Sequence, residues 1–172
     1  MGSPTSGLEG VVATASSICW IDGQAGVLSY RGFDIHTLAE NATFEEVIYL
    51  LWHGRLPRAS ELDELKKALV WHRGLPREVV DFLKTVPNAK PMDVLRTAVS
   101  LLGVLDSTTK DNSAQANLDR ALRLMSQTAT IVSTFDRVRK YLHIIEGDSK
   151  LGFAANFLYC LTGRRPDKVG ER

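Results

Sequence analysis

AQANLDRALRLMSQTATIVSTFDRVRKYLHIIE, residues Ala114–Glu146, runs without proline or glycine until Gly147. Within it Leu118, Ala121, Leu122, Met125, Ala129, Val132, Phe135, Val138 and Leu142 recur at steps of three and four. That spacing lines apolar side chains along one stripe of an α-helix. At about 1.5 Å per residue a helix of some thirty residues is roughly 45 Å long, longer than a compact domain of this size is wide. It must cross the whole molecule or extend into a partner. Ser126, Thr128, Ala129, Thr130 and Ser133 keep its middle slim, so a second helix is expected close against it.

The segments upstream have the same character. Thr43 with Glu46 spells a capping box and opens a helix that closes at Gly54. Ser60, with Asp63 three residues on, starts the next helix, and Pro76 and Pro91 suit the first positions of two more. The expected helices cover about 34–41, 43–53, 59–72, 76–85, 91–105, 114–146 and 148–162. The helix from Pro91 to Leu105 carries Leu95, Ala98, Val99, Leu102 and Leu105 on one stripe. Only the N-terminal part departs from the pattern. Val11–Ile21 is rich in β-branched and aromatic residues, Asp22-Gly23 is a turn signal, and Gly26–Tyr30 reads as a returning strand, giving a hairpin over 10–31. The fold class is mainly α, an N-terminal β-hairpin followed by a helical bundle. Residues 1–6 read as a leader or disordered stretch, 7–166 as one domain, and 167–172 as a frayed end.

Composition sets limits on function. The 172 residues suffice for one domain with a proper core. A formal net charge of +1 offers no concentrated basic surface for nucleic acid or an anionic membrane. No apolar run approaches the roughly 18 residues that span a bilayer, and the expected location is the cytoplasm. Cys19 and Cys160 lack motif spacing and read as buried, reduced thiols. Gly2 with Ser6 formally matches a myristoylation pattern, too short to outweigh chance.

Catalytic chemistry is not visible. The sequence has no Gly-rich phosphate loop, nucleophile elbow, His-Glu-x-x-His helix or cysteine–histidine cluster. His36 lies on a short amphipathic helix. His53, His72 and His143 each fall at an expected helix C-terminus, where the helix dipole favours an imidazolium. Arg96, inside an apolar helix, reads equally as a buried arginine paired across an interface or as a solvated residue on the outer face. No catalytic, cofactor or metal-binding residue is assigned, and no cofactor is expected.

Taken in order, the segments resemble the citrate synthase family. Gly7–Thr14 and Ile21–Ile35 are similar to the N-terminal hairpin and first helix of bacterial and archaeal members. Thr43–Pro57 resembles the family's Phe-Glu-Glu helix with its Gly-x-Leu-Pro, Pro91–Ser100 its Pro-Met helix, and Ala154–Tyr159 its Ala-Asn-Phe-Leu-Tyr segment. Lys90 stands where the family usually has histidine. The resemblance implies part of a citrate synthase-like large domain and a homodimer, in which the helices at 91–105 and 114–146 pack antiparallel against their symmetry mates. A two-fold isologous contact would also supply the partner that the long helix demands. Leu95, Val99, Leu102, Leu122, Met125 and Ala129 are placed near that contact.

The family condenses acetyl-CoA with oxaloacetate, using an aspartate, two histidines and carboxylate-clamping arginines. In the family these follow the Ala-Asn-Phe-Leu-Tyr helix, beyond the position of Arg172, and no residue here matches one. The resemblance therefore implies the N-terminal, dimer-forming part of a citrate synthase, inactive alone, with acetyl-CoA and oxaloacetate used only by a complete enzyme. The alternative is a naturally short, non-catalytic relative that binds and regulates or scaffolds a full-length synthase. These motifs do not separate citrate from 2-methylcitrate synthases.

Overall fold

The computed structural model describes residues 14–167. The readings that fall on 1–13 and 168–172, namely the leader, the Gly2 pattern, the start of the hairpin and most of the frayed end, lie outside them. The described residues form two compact units divided after Pro57.

The first unit holds β1 (Cys19–Asp22), β2 (Val27–Tyr30), β3 (Phe33–Asp34), α1 (Ile35–Asn41) and α2 (Phe44–His53). β1 and β2 pair antiparallel with Cys19 opposite Tyr30 and Asp22 opposite Val27. Their four-residue turn is organised by the Asp22 carboxylate, which accepts from the Gln24 and Ala25 amides. The third strand was not expected. Arg31 (φ 51°) and Gly32 (φ 87°) both take the left-handed conformation, the two-residue turn that matches strand twist, and return the chain as β3. An arginine in the first of those positions hides the turn from sequence. Its side chain compensates locally: Nη2 donates to the Leu51 carbonyl at 2.8 Å and Nη1 to the Ser17 hydroxyl at 2.7 Å. Asp34 caps α1 and the Thr43–Glu46 box caps α2, as the sequence indicates. Leu38, Ile48, Tyr49 and Leu50 form the buried side of this unit.

The second unit comprises α3 (Ala59–Trp71), α4 (Arg77–Thr85), α5 (Pro91–Leu105), α6 (Ala114–Arg139) and α7 (Phe153–Thr162). Its core joins Val79 and Leu83 of α4, Val94, Ala98 and Leu102 of α5, and Ile131 and Phe135 of α6. Helix α3 begins earlier than Ser60 suggests, because Glu61 accepts from the Arg58 amide and fixes the start there. Pro76 sits just before α4 instead of opening it.

The long helix is shorter than expected, 26 residues ending at Arg139, or about 39 Å. It stops in a Schellman motif: the Leu142 amide donates to the Arg137 carbonyl and the Tyr141 amide to the Val138 carbonyl, with Tyr141 left-handed at φ 53°. Glycine usually occupies that position, so the tyrosine conceals the helix end and Gly147 looks like the stop. Leu142 and His143 are therefore off the helix and exposed. The last helix begins at Phe153 and not at 148, since the Asp148 carboxylate accepts from the Lys150 amide in a turn. Residues 140–152 form an irregular strap between α6 and α7.

Candidate functional site

Helices α5 and α6 carry the residues singled out for contact with a partner. On α5, Val94, Ala98 and Leu102, four residues apart, point into the core. The opposite side leaves Met92, Arg96, Gly103 and Val104 exposed, with Leu95 and Val99 half-buried at the edges. Arg96 is exposed in the single chain and pairs with Asp93 at 3.0 Å. On α6, Leu124 and Val132 are exposed, while Leu122, Met125 and Ala129 are half-buried.

Two shallow apolar grooves lie along these helices. One, of about 160 Å³, has Val99, Leu102, Leu124 and Gln127 among its walls. The other, of about 220 Å³, is walled by Leu95, Val132, Phe135, Phe157 and Leu161, with Asp136 and Arg139 at its edge. Thus Leu95, Val99 and Leu102 border the grooves, Leu102 as part of the core beneath. Leu122, Met125 and Ala129 line neither. At roughly 100° per residue they occupy a strip about 100–160° around α6 from Leu124, so the six residues do not form one patch. The slim middle of α6 is partly used by the chain itself: Ser126 and Ser133 are both 1% exposed, and the Ser126 hydroxyl donates to the Leu69 carbonyl of α3 at 2.9 Å.

The charged groups beside the first groove brace the loop between α5 and α6. The Asp106 carboxylate accepts from the Thr108 hydroxyl and amide and from Arg123, at 2.7, 2.8 and 2.7 Å. These bonds, Thr108's foremost, lower its pKa to about 2. Arg120 donates to the Thr108 carbonyl and the Asn117 side chain, both at 2.7 Å. Both guanidinium groups are thereby committed within the loop.

The remaining candidates are dispersed. His36, His53 and His143 are exposed and far apart in the sequence. His53 stacks on Tyr49 with ring centroids 4.1 Å apart. His72, expected as a favoured imidazolium, has its pKa lowered instead, first by burial and then by the nearby Arg123. Cys19 is exposed, contrary to expectation, whereas Cys160 is buried and burial raises its pKa. Among the described residues no three His, Cys, Asp or Glu side chains could hold a metal ion together, and no helix is long and apolar enough to cross a membrane. The arrangement offers apolar surface for packing, and the Asp106–Arg123 pair beside the first groove is committed to bracing the loop.

Comparison with known proteins gives this surface a context. Residues 7–172 match the family described as "Citrate synthase, C-terminal domain". The chain is 46% identical over 167 residues to citrate synthase 2 of Bacillus subtilis, covering 96% of this chain and 44% of that protein. It is 39% identical over 162 residues to a 2-methylcitrate synthase of Mycobacterium tuberculosis, covering 94% and 41%. The crystal structure of citrate synthase from Pyrobaculum aerophilum superimposes with a TM-score of 0.89 at 33% identity, covering 99% of this chain and 46% of that one. The chain spans less than half the length of each of these relatives. Extended matches in sequence and in fold agree, and the chain belongs to the citrate synthase family.

Proposed function

We propose that this chain is the dimer-forming part of a citrate synthase and is inactive alone. The complete enzyme would join acetyl-CoA to oxaloacetate, releasing citrate and CoA. The observation that carries the reading is the apolar outer side of α5 and α6, with Met92 73% and Val104 80% exposed, in a chain otherwise folded like a citrate synthase. Exposed apolar side chains aligned on two neighbouring helices suit a contact with a second copy, and a two-fold operation turns one such face into its own partner. Leu95 and Val99 lie at this contact in the proposal, with Leu102 supporting it from the core, and Leu122, Met125 and Ala129 extend it as a second strip around α6.

Two readings on the same preparation test it. Sedimentation velocity is expected to show a dimer that Val132→Asp or Met125→Asp weakens. A thiol reagent is expected to detect no CoA release from acetyl-CoA and oxaloacetate. Sustained turnover by the isolated chain would overturn its inactivity. A monomer at all concentrations, or a dimer indifferent to both substitutions, would overturn the assigned contact.

A further inference from the structure

Met92 is the single sulfur-bearing side chain among the described residues that line the two grooves of α5 and α6. Their other apolar walls are hydrocarbon. Met92 stands in the first turn of α5, 73% exposed, at the larger groove with Leu95 and Val132. Met125 is half-buried and lines neither groove, and Cys160 on α7 is 4% exposed. The edge of the larger groove carries one charge of each sign, Asp136 and Arg139. A second copy related by a two-fold axis can set each against its opposite, so this edge is self-complementary.

A thioether packs as an apolar group, and its sulfoxide does not. The step needs only a hydroperoxide. The sulfur lone pair takes the terminal oxygen, the O–O bond breaks, and the proton on the transferred oxygen passes to the departing one. Hydrogen peroxide thus leaves as water, and the methionine, oxidised by two electrons, as its sulfoxide. We propose that Met92 is a redox switch on self-association, through which a hydroperoxide bars the chain from contact with a second copy. The inference rests on the dimer read above and supplies its regulation. Leu95 and Val132 offer a buried sulfoxide oxygen no hydrogen-bond donor, and such a group is costly to dehydrate. A two-fold contact brings two copies of Met92, so the penalty counts twice. The dimer covers Met92 in turn, and oxidation therefore captures chains that have come apart.

The full chain carrying Cys19→Ser, which removes the exposed thiol, is treated with hydrogen peroxide, and each methionine is followed by peptide mass. In dilute solution Met92 is expected to oxidise at close to the rate of a free methionine and ahead of Met125. At concentrations where sedimentation velocity shows the dimer, the Met92 rate should fall in proportion to the dimer fraction. Oxidation of Met92 should raise the dimer Kd about tenfold to hundredfold, the cost of burying an unpaired polar group. Methionine sulfoxide reductases should restore it. Met92→Gln should weaken the dimer without peroxide, and Met92→Leu should preserve it and make it indifferent to peroxide. A dimer whose Kd is unchanged by Met92 oxidation overturns the switch and leaves the dimer reading standing. So does a Met92→Leu dimer that peroxide still dissociates, which would place the sensitivity elsewhere. A chain that is monomeric at every concentration before oxidation overturns both.

Discussion

Ser126 and Ser133 lie two turns apart on α6, are equally buried at 1%, and differ in where the hydroxyl goes. Ser126 donates across to the Leu69 carbonyl in the C-terminal part of α3, where the helical ladder is running out of donors. Ser133 donates to the Ala129 and Thr130 carbonyls of its own helix, both at 3.1 Å, as a second donor to oxygens that the helix serves already. The same substitution, serine to alanine, should therefore act differently at the two sites. Each gains up to about 0.5 kcal/mol in helix propensity. At Ser126 the loss of a buried hydrogen bond, with its acceptor left dry, costs about 1–3 kcal/mol, for a net destabilisation of about 0.5–2.5 kcal/mol. At Ser133 the net change is between zero and a gain of about 0.5 kcal/mol. Urea unfolding at one fixed protein concentration measures both. With a slope of about 1.5 kcal/mol/M, the midpoints of the two variants should stand about 1 M apart. Equal midpoints, or a greater loss in Ser133→Ala, would refute the assignment of Ser126 as the tie between α3 and α6.

Two further outcomes follow from the turn after α6 and the loop before it. Tyr141 is 80% exposed and left-handed, so Tyr141→Gly removes backbone strain with little loss of contact. It should raise stability by about 0.5–1 kcal/mol, read as a higher melting temperature, whereas a drop would mean that the ring has a structural role. Asp106 has a folded pKa of about 2 against an ordinary 3.8, a depressed carboxylate, so its contribution is present above about pH 4 and lost as the pH falls toward 2. Asp106→Asn should accordingly be less stable than the parent at pH 7 and converge with it near pH 2; a constant difference across that range would rule out the carboxylate charge as the cause.

Much of the fold was legible because caps and apolar spacing agree. The Thr43–Glu46 box, Pro91 at the start of α5 and the Asp34 cap each mark an end through local chemistry that three or four residues suffice to encode. What escaped reading has the opposite cause. Arg31 and Tyr141 hold backbone conformations usually signalled by glycine, and the strap is fixed by Arg73, 75 or more residues away in sequence. The contact surface was legible only in part. Periodicity finds which residues share a face, but whether Ser126 meets another chain or this chain's own α3 depends on a crossing that spacing does not contain.

The chain's arginines donate repeatedly to peptide oxygens: Arg31 to Leu51, Arg73 to the strap, Arg120 to Thr108, and Arg137 to His143 and Leu161. A carbonyl carries no net charge for an ion atmosphere to neutralise, so these bonds respond to ionic strength far less than pairs of full charges do. Added sodium chloride should weaken the exposed Arg77–Asp81 and Arg96–Asp93 pairs while leaving the main-chain clamps nearly untouched. Raising salt therefore removes surface ion pairing from this protein and spares the contacts that fix the path of its backbone.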